Sequence, residues 1–278
     1  MKQRWLLFGW LLLAAPAALQ AQFDYITNAD GISVTITDYT GPGLGAVTIP
    51  STLGGLPMTG IGTNAFDGSS ITSVTIPDSV TSIGDSAFYD CSSLTNVTIG
   101  KSVANIGAYA FSGAYYVPAP GQEIFDSACR LTSVTFPVSV SSIGDYAFGG
   151  CTNLTTVYFQ GNAPDANWDV FQIDSLTAYY LPGRIGWGPI FAGLPTALWT
   201  LSYPLILPYN PGFGAQTNAF GFNISWATNL SVVVEACTNL ANPTWQPLQT
   251  NTLTNGTCYF SEPLQTNIAS RYYRVRSP

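Results

Sequence analysis

The chain contains no histidine. The side chain that most often serves as a general base near neutral pH, and most often ligates a metal, is therefore missing. Neither a Ser-His-Asp triad nor a Cys-His pair can be assembled. Charge is also scarce, at 8% of residues against about 25% in an average domain. The 8 Lys+Arg are outnumbered by 15 Asp+Glu. Nucleic-acid affinity draws on many Lys/Arg–phosphate contacts, so this balance argues against nucleic acid and against anionic membranes. No Asp-x-Asp-x-Asp calcium loop and no glycine-rich phosphate motif is present. Hydrolysis of a glycoside would need two carboxylates about 5–9 Å apart in one cleft, and nothing in the scattered acids marks such a pair. The sequence therefore assigns no catalytic residue, no cofactor and no metal site, and it reads as a non-enzyme.

The first residues carry an address. Met1-Lys-Gln-Arg4 is a short positive segment, Trp5 to Ala18 is apolar, and Leu19-Gln-Ala21 ends on a small residue. That order is the pattern of a signal peptide over 1–21, too short to span a bilayer that needs about 20 apolar residues. Cleavage after Ala21 removes Lys2 and Arg4 and lowers the basic count from 8 to 6. No later run is long and apolar enough to cross a membrane as a helix. The expected location is secreted or cell surface.

What is abundant is self-similarity. Residues 71–93 and 131–153 share 14 of 23 positions, and Leu94 to Phe111 is a third copy. Together they give L-x-x-V-x-I-P-x-x-V-x-x-I-G-x-x-A-F-x-x-C. Copies start at Ile71, Leu94, Leu131 and Leu154, and weaker ones at Leu44 and Leu176. The steps are 23, 37 and 23, so the middle one carries 14 extra residues around Ser112 to Ile124. A fixed period in the twenties is the signature of a solenoid, whose coils bury their apolar faces only by stacking.

Within a coil, LTSVTIP alternates as a half-buried strand does. Gly-Asp before Ala-Phe reads as a turn and N-cap, with AFxxC as one short helical turn. Phe88, Phe111 and Phe148 are then expected in one buried row, as are Val80, Val103 and Val140, and Ile83, Ile106 and Ile143. The repeat resembles the BspA-type leucine-rich repeat of bacterial surface proteins over Leu44 to Leu181. The resemblance implies a curved solenoid on an exported protein, often tied to adhesion or protein contact, and it implies no catalysis.

Boundaries follow from the pattern. Residues 22–43 read as an N-terminal hairpin cap that turns at Asp30-Gly31. Residues 44–199 are the solenoid with a C-terminal cap of Trp187, Phe191, Leu194 and Trp199, and with Trp168 and Phe171 in a degenerate fifth coil. Proline-rich 200–219 reads as a linker. Residues 220–278 give several short strands, a small antiparallel β-sandwich that resembles an immunoglobulin or fibronectin-III module. The fold class is mainly β.

Five cysteines do not form a framework. Cys91 and Cys151 share one repeat position and read as small buried apolar groups. Cys129 lies one place off that register. Cys237 and Cys258 can pair across the tail or stay free, since alternation only places Cys237 on the face of Glu235. Arg271, Arg274 and Arg276 either meet an acidic partner or protect an end strand.

The candidate contact residues are uncharged. Thr75, Thr98, Thr135 and Tyr158, following Thr48, form one outward ladder, with Ser73, Asn96, Ser133 and Thr156 beside it. Such a ladder can hydrogen-bond sugars, or it can simply reflect the strand propensity of threonine. Tyr115 and Tyr116, in the inserted loop, are aromatic candidates. The expected partner is a protein or a glycan. The alternative is a structural envelope or matrix component without a specific ligand, and a carboxylate-based polysaccharide-acting enzyme is the remote third.

Overall fold

The coil turns where the repeat has its Pro, replaced by Gly100 in the third copy and Gln160 in the fifth, and turns again near the repeat Gly. The computed structural model describes residues 22–119, 122–125, 129–172, 176–199, 204–207, 213–215, 219–226, 229–264 and 270–278, without the side chains of 115–119, 122–125 and 207. The signal-peptide segment, 1–21, lies outside the described residues.

The L-x-x-V-x-I phrase forms the front sheet. Gly45–Thr48, Ile71–Thr75 and Asn96–Thr98 pair in parallel, and so do Ser133–Phe136, Thr156–Phe159, Thr177–Tyr180 and Leu194–Leu198. After the Pro corner, the chain crosses the coil and forms two-residue strands of a back sheet. Ser82–Ile83, Asn105–Ile106, Ser142–Ile143 and Asp165–Ala166 stack there in parallel. An N-terminal hairpin, Phe23–Thr27 with Val34–Tyr39, starts that sheet and pairs onward to Leu56–Ile61.

The third side of the coil is not helical. Among the described residues no helix forms, and Ala-Phe lies in a chain of turns. The residue before it sits in the left-handed region: Asn64, Ser86, Tyr109 and Tyr146 have φ of 58°, 53°, 56° and 56°. L-residues do not propagate a right-handed helix through that conformation. Backbone groups bond between coils instead, Phe66 N–H to Ala87 O, Phe88 N–H to Ala110 O and Phe111 N–H to Ala147 O at 2.7–2.8 Å. Asp85 follows suit. Its Oδ1 accepts the Ala108 N–H of the next coil at 2.9 Å, so it ties coils together rather than capping its own turn.

That stacking explains the core. Phe66, Phe88, Phe111, Phe148 and Phe171 form one column, with centroids 4.7–5.6 Å apart. The Val80 and Ile83 rows are buried along their length. The repeat glycine is set by close approach. A Cβ on Gly107 would lie 2.5 Å from Asp85 N, and one on Gly144 2.5 Å from Ala108 N. Trp187, Phe191 and Leu194 join the core at the C-terminal end, and Phe171 is buried, whereas Trp168 is 69% exposed.

Cys151 departs from its expected part as an apolar filler. It forms a disulfide with Cys129 across a Cα–Cα distance of 4.6 Å. The insertion delivers Cys129 off register and beneath Cys151, where the regular repeat has no cysteine. Cys91 has Ser69 at the corresponding place in the coil before it and remains a buried free thiol.

Beyond the solenoid are two antiparallel sheets. Leu205–Leu207, Gly214–Ala215 and Thr257–Pro263 pair with Ala219–Ser225, and Gln246–Thr252 and Tyr272–Arg276 pair with Ser231–Cys237. Phe222, Ile224, Trp226, Val232, Val234 and Phe260 form the core of this small sandwich. Leu205–Leu207 and Gly214–Ala215 thus pair into the first of these sheets, while the rest of the expected 200–219 linker lies largely outside the described residues. The sandwich rests on coil six, where Ser225 Oγ donates to Pro182 O at 3.4 Å.

Candidate functional site

The front sheet places the predicted ladder in register. Thr48 pairs with Thr75 and Thr75 with Thr98, while Thr135 pairs with Tyr158 and Tyr158 with Tyr179. Their neighbours in sequence, such as Val74, Val97 and Val157, point into the core, so the ladder faces solvent.

The ladder is interrupted once. Among the described residues Asn96–Thr98 pairs only with Ile71–Thr75, and Ser133–Phe136 only with Thr156–Phe159. Between these two strands no hydrogen-bonded ladder forms among the described residues, although their Cα atoms approach within 8 Å. The back sheet stays closed at the same level, with Asn105 opposite Ser142 and Ile106 opposite Ile143. The 14 extra residues enter the chain between the Phe111 turn and the Ser133–Phe136 strand. The stack therefore opens on one side only.

The opening is a cleft of about 400 Å³. Asn96, Thr98, Thr132, Ser133, Thr135 and Gln160 line it. Its floor is a little apolar surface. Val97 and Ile99 are 9% and 8% exposed, against 1% and 2% for Val74 and Ile76 in the intact coil before. Among the described residues Lys101 is the one charged lining residue, and its Nζ lies 3.5 Å from Asp78. Beside the cleft the ladder turns aromatic. Tyr158 stacks on Tyr179 at 5.4 Å and meets Trp199 at 4.7 Å. Trp199 thus covers the outer face rather than sealing the end of the core.

Thr98, Thr135 and Tyr158 are therefore brought together around one feature, and Thr75 stands one coil away from it. Tyr115 and Tyr116 belong to the inserted hairpin, opposite Phe125 and Ile124, but their side chains lie outside the described residues. Gln160, Lys101, Tyr179 and Trp199 were not among the predicted contact residues. The signal that could have found them is the single long step in the repeat, because a ladder of fixed period opens where the period breaks.

The other surfaces offer less chemistry. A shallow back-sheet depression holds Asp85, Asp145 and Asp165 with Asn105 and Asn167. Asp145 accepts from Asn167 Nδ2 at 2.7 Å. Burial and the neighbouring Asp145 charge raise the pKa of Asp169. Among the described residues no group of three or more Cys, Asp or Glu is arranged to hold a metal ion.

In the sandwich, Glu235 is buried between Arg274 Nε at 2.7 Å and Arg276 Nε at 2.8 Å. The hydrogen bonds from Arg276 and Arg274 hold its carboxyl below the usual carboxylate range. Arg271 pairs with Glu262 at 2.5 Å. The three tail arginines are thus engaged inside the module. Cys237 and Cys258 are both free thiols. Cys258 packs against the sandwich core, while Cys237 shares the opposite face with Glu235, so the two do not meet.

The comparisons fit this architecture. The BspA type leucine rich repeat region matches residues 45–117 and 120–186 in six copies, half of the chain. That match ends before the sandwich and gives its immunoglobulin or fibronectin-III resemblance no support. No curated protein matches the chain. Among solved structures, a leucine-rich repeat protein from Bacteroides capillosus is 31% identical, covers 50% of this chain and 95% of its own, and has a TM-score of 0.41. The T. pallidum leucine rich repeat protein is 28% identical, covering 58% of this chain and 83% of that one, with a TM-score of 0.40. A leucine rich cell surface protein from Faecalibacterium prausnitzii is 30% identical over 65% of this chain and 46% of that one, with a TM-score of 0.36. The six matched copies fall within the range of the stacked coils, and the chain belongs to the BspA-type leucine-rich-repeat family.

Proposed function

We propose that this protein is an exported, non-enzymatic repeat scaffold of the bacterial surface that binds a protein or glycan through its front sheet. The observation that carries the reading is the front face itself. It is a ladder of hydroxyl and amide side chains, almost free of charge, that opens once into a cleft beside three aromatic rings. Such a face suits recognition, because it offers donors, acceptors and stacking surface. The chain has no histidine, so neither a Ser-His-Asp triad nor a Cys-His pair is available to it. Export is supported by the 1–21 pattern and by the Cys129–Cys151 disulfide, since such bonds persist in oxidising compartments.

The test is direct binding by the purified chain from Gln22 onward to host-matrix proteins and to a glycan panel. Saturable binding that Thr98→Glu abolishes is the expected result. Turnover of any panel member, or binding indifferent to Thr98→Glu, would overturn the reading.

A further inference from the structure

The geometry points to the cleft between Asn96–Thr98 and Ser133–Phe136 as the binding site for a neutral glycan. This inference rests on the front sheet being the recognition face and names its ligand class and position. A sugar ring presents hydroxyls around its rim and an apolar C–H face. The cleft presents the complement, with side-chain amides of Asn96 and Gln160 and hydroxyls of Thr98, Thr132, Ser133 and Thr135 above a floor of Val97 and Ile99. The facing strand edges add backbone N–H and C=O groups that no ladder occupies among the described residues. At about 400 Å³ the cleft falls in the range of small-ligand sites, roughly 300–1,000 Å³.

Two competing ligands fit less well. An extended peptide inserted as a strand would need about 9.6 Å between its neighbours, twice the interstrand spacing. The two strands approach within 8 Å. An anionic ligand would find one lysine, Lys101, already beside Asp78, on a chain with 15 acidic and 8 basic residues. The aromatic rings of Tyr158, Tyr179 and Trp199 lie next to the cleft along the sheet. They supply a place for a second sugar of an oligosaccharide, since rings stack on aromatic faces without needing charge.

The experiment is calorimetric titration of the purified chain with neutral hexasaccharides (gluco-, manno- and xylo-oligosaccharides), with an oligogalacturonate as the anionic comparison. Asn96 and Ser133 are exposed, so Asn96→Ala/Ser133→Ala should fold normally. Removing two hydrogen-bonding side chains is expected to weaken a neutral glycan about tenfold or more. Thr152→Ala, exposed on a turn away from the cleft, should not change the affinity. Binding should also be unchanged between roughly 50 mM and 500 mM salt, because a neutral ligand is not screened. Glycan binding that ignores Asn96→Ala/Ser133→Ala, or preference for the oligogalacturonate, would overturn the site. If no glycan binds but a matrix protein does, and Thr98→Glu abolishes that binding, the glycan assignment falls and the recognition face stands. If neither ligand class binds through the front sheet, both fall.

Discussion

The rings of Phe111 and Phe148 stack at 5.2 Å, although 37 residues separate them in the chain. Phe88 and Phe111, 23 residues apart, stack at 5.0 Å. The insertion thus leaves the aromatic column undisturbed while the front sheet opens at the same level. The column and the back sheet act as a hinge side that stays closed. Phe111→Ala should therefore cost more than the loss of one apolar side chain at an end coil, because it breaks the continuous side of the open step. A destabilisation of about 3–5 kcal/mol is expected by urea unfolding. A cost below about 1 kcal/mol would show that the step is held elsewhere.

The disulfide is the second fastening. Cys129 and Cys151 close a loop of 22 residues that contains the whole strand, corner and turn of coil four. Constraining a loop of this size in the unfolded chain contributes about 3 kcal/mol in the entropy description. Cys129→Ser/Cys151→Ser should lower the thermal midpoint, and mild reductant should lower the wild-type midpoint to the same value. A reductant-insensitive wild type would show that the bond does not form.

The coils were legible because their chemistry is periodic. One buried Val, Ile or Phe per coil at a fixed place is enough to align every copy, and the Phe column follows from the alignment alone. What does not repeat was harder. Cys129 stands off register, so nothing in the period pairs it with Cys151. The helical turn at Ala-Phe failed on Ser86, Tyr109 and Tyr146, whose backbone is left-handed, and the Ser86 and Tyr109 N–H groups bond to the next coil, to Ala108 O and Asp145 O, rather than within a helix. Leu205–Leu207, inside the expected linker, is too short to show an alternation in the sequence. Of the candidate site, the ladder was visible in the threonines, but its opening depends on how 14 inserted residues rejoin the stack.

The repeat glycine carries a simple prediction. A Cβ at Gly144 would meet Ala108 N at 2.5 Å and Gly107 C at 2.7 Å, both backbone atoms that no rotamer change can move. Gly144→Ala should therefore separate coils three and four on the back sheet, the side that keeps the cleft open in front. A loss of roughly 1–3 kcal/mol is expected, and protection from hydrogen exchange should fall at Ile106 and Ile143 together. An effect confined to the substituted residue would contradict the close-approach explanation.

Glu235 should set the acid response of the sandwich. Its folded pKa is lowered, first by the hydrogen bond from Arg276 and then by that from Arg274. A lowered pKa adds stability above the unfolded value near 4.5, and the gain is lost as pH falls through the folded value. Glu235→Gln keeps the shape and removes the titration. The wild type should exceed the variant in stability at pH 7, and the difference should shrink as the pH falls below about 4. A pH-independent difference, followed by denaturant unfolding of both proteins, would mean that the arginines do not stabilise the ionised form.

Cys91 should do the opposite at alkaline pH. Burial pushes its thiol from 9.0 up to about 12, and the nearby Asp67 and Asp90 charges act in the same direction. The folded protein then keeps the proton in a range where the unfolded chain gives it up. Between about pH 9 and 12 the native state binds more protons than the unfolded state, so stability falls as the pH rises. The slope approaches about 1.4 kcal/mol per pH unit for a single site. The informative quantity is the difference between the wild type and Cys91→Ala. Near pH 7.5 the variant carries a fixed cost from the small cavity it leaves. That cost should diminish steadily from about pH 9 upward, as the wild type alone loses the contribution of its buried thiol. The folded wild type should also resist alkylation at Cys91 at pH 8.5, because the attacking species is the thiolate. Fast modification there, with parallel stability curves for the two proteins, would place Cys91 in solvent and break the explanation of coil two.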